Sequence, residues 1–288
     1  MNEFKKDFLG IKAWHEAGIK GQGITVASIE NGKTTHSKMV LNILKQILPE
    51  ATILTDIKYW HKEEIPDELD GYTCSEENSS FDNQDKIDAQ REMYNRNVFM
   101  TCSVGNSGTE HYNKLAKYDE WVSVGACQLY DDGDVIPEHY SSECEKIDFC
   151  SVTNWGTDYG FFNGTSCSAP VLQGMAMLVK CYYRLRGREL SNQELYDYIR
   201  RNCIDVFKEG FDSKTGHGLF ILPKELEEMN IELTIGEKTA KVDGEEVELD
   251  VAPKIENGRT LVPLRFLAET LGFDIEWDNL QRKVYIRK

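Results

Sequence analysis

One stretch of this 288-residue chain restricts its fold more than any other. Within residues 164–184, Ala169, Val171, Leu172, Met175, Ala176, Met177, Leu178 and Val179 cover nearly the whole circumference of a helix. A helix that is apolar all round must be buried. No apolar run here approaches the roughly 18 residues that a membrane helix needs, so the burial must come from the chain's own layers. Those layers are legible upstream. Ile24–Ile29 reads as a buried strand behind Gly23. From His36 on, Met39, Val40, Ile43, Leu44, Ile47 and Leu48 recur at helical spacing until Pro49 stops them. A strand over Ala51–Ile57, a polar loop over 61–85, a helix near Lys86–Arg96 and strands at Val98–Ser103 and Val122–Ala126 follow, with a further helix at Gln193–Arg201. Such alternation predicts an α/β fold, a doubly wound and mostly parallel sheet with helices on both faces.

The pattern changes near Met229. Ile231–Leu249 reads as short alternating strands with a turn at Asp243-Gly244, then a helix from about Pro263 to Thr270 and a last strand from Val284. The chain therefore divides into a large domain, residues 1–228, and a small C-terminal α+β domain, residues 229–288. Against 49 acidic residues stand 33 Lys and Arg, a net charge of −16. That field argues against a nucleic-acid backbone as the main partner. The eight cysteines form no CxxC pair, and several sit in apolar runs, as buried reduced thiols do. With no apolar signal core in residues 1–10, they suggest synthesis for the cytoplasm.

Four segments carry chemistry. Gly164-Thr-Ser-Cys-Ser-Ala-Pro170 heads the buried helix and places Ser166 where free N–H groups and the helix dipole favour developing negative charge. Pro170 fits a first turn. Read alone, Ser166 serves equally well as a plain N-cap. Asn106, in Ser103-Val-Gly-Asn-Ser-Gly108, follows an apolar strand, where α/β ligand sites form; read alone it is a turn residue. His36 starts an amphipathic helix and Glu30 ends the first strand. Each alone is more often structural or solvated.

Taken together and in this order, these segments resemble the subtilisin-like serine protease family. Ile11-Lys-Ala-Trp14 with Gly18, Gly21 and Gly23 resembles its mature start, and His36-Ser-Lys-Met-Val40 its histidine motif. Val98–Gly108 resembles the strand and turn of the oxyanion asparagine, and Gly164–Pro170 the whole nucleophile motif. Val122–Ala126, Tyr140–Ser142 and Ile147-Asp148 resemble the stretch between them, so the likeness covers about residues 11–222. The resemblance implies a serine endopeptidase acting on a protein or peptide through an acyl-enzyme. Ser166 would be the nucleophile, His36 the general base, Glu30 the orienting carboxylate and Asn106 the oxyanion donor. It implies no required cofactor. Structural Ca²⁺ fits the family, but no Asp/Glu/Asn spacing here names its ligands.

Three departures from the family stand out, and the first and third support an alternative, a weak or inactive scaffold that binds or signals. Glu30 stands for the family's Asp. Five residues separate Glu30 from His36 where the family inserts a long loop. Ser37 and Met39 replace the Gly and second His of the motif. The segment that lines substrate is hard to find, Tyr72-Thr-Cys-Ser75 being the candidate. The tail, with Gly258-Arg-Thr-Leu-Val-Pro-Leu-Arg265 and Trp277-Asp, resembles the module named after the N-terminal domain of copper amine oxidases. That likeness implies a bacterial or phage source and a module that binds a surface or another protein. It does not imply copper, because residues 231–288 contain no His and no Cys.

Overall fold

The computed structural model describes residues 2–30, 32–55, 61–75, 83–109, 112–226, 229–271 and 273–287. Its elements run, in chain order, α1 (Asn2–Phe8), α2 (Ile11–Glu16), β1 (Thr25–Ser28), α3 (Thr35–Ile47), β2 (Thr52–Leu54), β3 (Gly71–Cys74), α4 (Gln84–Asn95), β4 (Phe99–Ser103) and β5 (Trp121–Leu129). Then come β6 (Val135–Pro137), β7 (Phe149–Val152), β8 (Trp155–Thr157), β9 (Gly160–Phe162), α5 (Thr165–Arg184), α6 (Asn192–Arg201), β10 (Cys203–Ile204) and β11 (Leu219–Phe220). Two compact units result, Met1–Cys181 with Ser191–Glu225, and Tyr182–Leu190 with Leu226–Lys288.

In the first unit a nine-stranded sheet runs β10-β11-β7-β5-β4-β3-β1-β2, with β6 on β5. All pairs are parallel except β10–β11 and β5–β6. Alternate residues of a strand face opposite layers. Ala27, Ile29, Tyr72, Cys74, Met100 and Cys102 therefore share one face, packed with Ala89 and Met93 of α4. On the other face α5 lies against the sheet. A Cβ at Gly71 would meet Met177 Sδ at 2.7 Å, and Thr101 Oγ1 donates to the Ala169 carbonyl at 3.5 Å. Helix α3 is on this side too, since a Cβ at Gly174 would lie 2.9 Å from Ile47 Cγ2. The doubly wound sheet read from the sequence is thus what forms, and the eight residues of the apolar helix that define it are all buried.

Two local readings differ, and one element is absent from the sequence reading. Residues 61–85, read as loop, contain β3, whose Gly-Tyr-Thr-Cys carries no apolar run and forms a strand because it pairs on both sides, with β1 and β4. The polar start of the chain is helical, and its Lys5 is buried, donating to the Thr153 and Asn154 carbonyls at 2.6 Å each. Pro170 lies beyond the first turn of α5, which begins at Thr165. There it withholds the N–H that would bond the Ser166 carbonyl four residues back. The end of the predicted strand Ala51–Ile57 lies outside the described residues, as do residues 76–82 of the loop 61–85. All eight cysteines are free, and all but Cys203 are buried.

The second unit is small and mostly β. Antiparallel β12 (Ile231–Leu233), β13 (Thr239–Val242) and β14 (Glu245–Glu248) form one sheet. The predicted turn joins β13 to β14 with φ of 52° at Asp243 and 89° at Gly244, positive at both positions as a type I′ hairpin requires. Arg186 pairs with Asp243 at 3.0 Å. Hairpin β15 (Lys254–Glu256) and β16 (Arg259–Leu261), helix α7 (Leu264–Thr270) and hairpin β17 (Asp274–Asp278) and β18 (Lys283–Arg287) complete it.

Candidate active site

Strand order creates the site. From β1 the chain crosses to β2 on one side, and the next strand, β3, pairs with β1 on the other. At such a reversal the connections leave in opposite directions and open a crevice beyond the strands' carboxyl ends. Glu30 follows β1 and Ser75 follows β3, so both stand at this opening.

Glu30 is fully buried. Its carboxylate accepts from the Ser28 hydroxyl and, through Oε1, from the Ser75 N–H at 2.9 Å. The Ser75 carbonyl in turn accepts from Ser166 Oγ at 2.9 Å. The backbone of one residue thus ties the acid to the serine. Tyr72–Cys74 lies in β3, an interior strand paired on both sides, and Ser75 just beyond its carboxyl end lies in the site; residues 76–82 are outside the described part. Buried Ser75 also carries a side-chain oxygen with no partner among the described residues.

Ser166 is the second residue of α5, so the N–H groups of the first turn surround it. Gly164, with φ of 88°, makes the sharp entry. Its N–H donates to the Tyr140 hydroxyl at 3.2 Å and its carbonyl accepts from Thr153 Oγ1 at 3.3 Å. Asn106 comes from the loop after β4. One atom of its amide contacts the Thr165 N–H at 2.9 Å and Thr165 Oγ1 at 3.2 Å. Because a backbone N–H only donates, that atom is the oxygen, and Nδ2 remains as a donor. Gly105, at φ 121°, allows the loop to pass Ser142, whose Oγ would lie 2.9 Å from a Cβ there. Neighbouring Cys167 is no rival nucleophile, since burial pushes its thiol up to about 12.

His36 is the second residue of α3. Its turn is fixed by a capping box in which Ser37 N donates to Thr34 Oγ1 at 3.0 Å and Thr34 N to Ser37 Oγ at 3.1 Å. This gives Ser37, one of the departures from the family motif, a physical task. The imidazole packs edge-on against Phe162 of β9, ring centroids 5.1 Å apart. Phe162 lies four positions before Ser166. The structure thus brings Glu30, Ser166 and Asn106 around Ser75 and Thr165, and sets His36 against the hairpin that leads into α5. Sequence reasoning missed Ser28 and Thr165 as partners of the acid and the asparagine; only the positions beside Glu30 and Ser166 hinted at them. Among the described residues no three His, Cys, Asp or Glu side chains assemble a metal site.

The architecture is that of known proteases. A lanthipeptide protease superposes with a TM-score of 0.59 at 17% identity, covering 77% of this chain and 94% of that one. The psychrophilic subtilisin-like protease Apa1 from Pseudoalteromonas sp. AS-11 gives 0.60 at 12%, covering 76% and 95%. In sequence, residues 70–218 match the model of the subtilase family, and the chain belongs to that family. The matched stretch contains Asn106 and Ser166; Glu30 and His36 precede it. The subtilisin-like protease PopC of Myxococcus xanthus (strain DK1622) is 26% identical over 145 residues, 46% of this chain but only 29% of that relative's length. Residues 224–286 match the model of the copper amine oxidase N-terminal domain. No helix among the described residues is long and apolar enough to cross a membrane.

Proposed function

We propose that this chain is a serine endopeptidase with Ser166 as nucleophile, His36 as general base, Glu30 as the carboxylate that orients the imidazole, and Asn106 as an oxyanion donor. The single observation that carries the reading is the junction at Ser75 and Thr165. There the candidate nucleophile, a fully buried carboxylate and an amide with Nδ2 still to donate come within one or two hydrogen bonds of each other. The imidazole would take the Ser166 proton as Oγ attacks a peptide carbonyl, then pass it to the leaving amine. Asn106 Nδ2 and the Ser166 N–H would hold the oxyanion. Water would then release the acyl group, so the substrate is a protein or peptide.

Glu30 is one methylene longer than an aspartate. Its anchorage by Ser28 and Ser75 supports a fixed charge rather than a wandering side chain. A second reading, an inactive scaffold, is favoured by one observation: the Ser166 hydroxyl rests on the Ser75 carbonyl, and must rotate away from it to give up its proton. The C-terminal module would bind a surface or a protein under either reading. A fluorophosphonate probe separates the two. Under the first, mass spectrometry finds one adduct, on Ser166, absent from Ser166→Ala. A folded protein that takes no adduct is the scaffold.

A further inference from the structure

At the opposite end of the sheet, where β4, β5 and β7 begin, lies a cavity of about 310 Å³. Its volume suits a small ligand or one long side chain. Aromatic rings of Tyr94, Tyr118, Trp121, Tyr196 and Phe211 line it. Charged side chains facing it are Asp119, Glu120, Glu145, Asp148 and Lys146, four acids to one base. Lys146 pairs with Asp119, and Glu120 is met from outside by Arg91 at 3.4 Å. Glu145 at the rim and Asp148 within are therefore the acids left over.

Asp148 is well ordered for a second task. Its Oδ2 accepts from Ser123 N at 2.7 Å and Ser123 Oγ at 3.1 Å, and its Oδ1 from the Tyr196 hydroxyl at 2.9 Å. An ionised carboxylate offers about four lone-pair sites, so Oδ1 has room for one more donor. An independent observation comes from Asn192, which also lines the cavity and is 8% exposed. Its Nδ2 donates to the Tyr94 and Val98 carbonyls at 3.3 and 3.1 Å, which fixes the amide. Its buried Oδ1 then has no partner among the described residues. A buried acceptor without a donor is costly, and a ligand with N–H groups removes that cost.

We propose that this cavity binds an alkyl guanidinium or ammonium group. Ring faces attract a cation, Asp148 and Glu145 supply countercharge, and Asn192 Oδ1 takes an N–H. The site is separate from the Ser166 crevice, and nothing in the proposal depends on catalysis. The chain's net charge of −16 draws such a ligand in.

Titration calorimetry of the full chain with agmatine, with Nα-acetylarginine amide and with neutral N-butylurea tests this. Agmatine should bind with one site per chain, and N-butylurea at least about tenfold more weakly, the value of one charge-assisted hydrogen bond. Asp148→Asn should weaken agmatine by about tenfold or more. As buried Asp148 also holds Ser123 and Tyr196, the exposed changes Phe211→Ala and Glu145→Gln provide the same test without risk to folding, each weakening agmatine several-fold. Binding of agmatine alone assigns a free amine as ligand; binding of both cations assigns the arginine side chain of a peptide. No saturable heat with either cation, or equal affinity for N-butylurea, or binding indifferent to Phe211→Ala and Glu145→Gln, would overturn the proposal.

Discussion

Gly164→Ala probes the turn before Ser166, the proposed nucleophile, without touching that residue. Two costs follow from the geometry. At φ of 88° an alanine sits in the left-handed region, which costs about 1–2 kcal/mol. The new Cβ would also stand 3.2 Å from Asn106 Oδ1 and 3.5 Å from its Nδ2, close enough that the amide must give by a few tenths of an ångström. That amide is held at 2.9 Å by the Thr165 N–H, so yielding displaces the donor proposed for the oxyanion. Losing one such donor in subtilisin itself lowers turnover by about 10²–10³. The variant should therefore lose only about 1–2 kcal/mol in urea unfolding, yet cleave a peptide p-nitroanilide about a hundredfold more slowly. Combined with Asn106→Ala it should be scarcely slower than Asn106→Ala alone, because both changes act on one group. Wild-type turnover in Gly164→Ala, or fully multiplicative losses in the double variant, would refute the coupling of Gly164 to Asn106.

Other consequences are measurable. Thr34→Ala removes the cap of α3 and should cost about 1 kcal/mol in urea unfolding; because His36 stands in that first turn, turnover should fall several-fold at temperatures where the protein remains folded. Burial, abetted by Lys6 and Lys20, lowers the pKa of His15, although its Nε2 contacts the Ile47 carbonyl at 2.8 Å. The folded state then binds fewer protons than the unfolded one below about 6.5. Stability should fall as pH drops from there through the lowered value, and unfolding curves of His15→Gln should lack that component. Thiol titration of denatured, unreduced protein should count all eight cysteines, while the native protein reacts slowly, since even the half-buried Cys203 thiol is pushed up to about 12 by desolvation.

How much was legible depended on the kind of signal. The apolar periodicity of α5 and α3 and the strands β1, β4 and β5 follow from residues read along the chain, because burying those side chains leaves few alternatives. The four candidate site residues were legible for another reason: each stands beside an element boundary, Glu30 and Asn106 after strands, His36 and Ser166 at helix starts. What the sequence could not settle is anything decided by pairing across the chain. Gly71–Cys74 carries no apolar signal and is a strand only because β1 and β4 offer it a ladder on each side. Lys5, a charged residue near the chain's start, is buried because two carbonyls some 150 positions away in sequence receive its ammonium group. The same holds at the centre. That Ser75 would join Glu30 to Ser166, and that Thr165 would turn the Asn106 amide so that its NH₂ is left over, are consequences of strand order and of hydrogen bonds that must be satisfied once water is excluded. Sequence by itself determined which residues are candidates for the chemistry; the crossing from β2 to β3 on the far side of β1 decided that Glu30 and Ser166 share the backbone of Ser75.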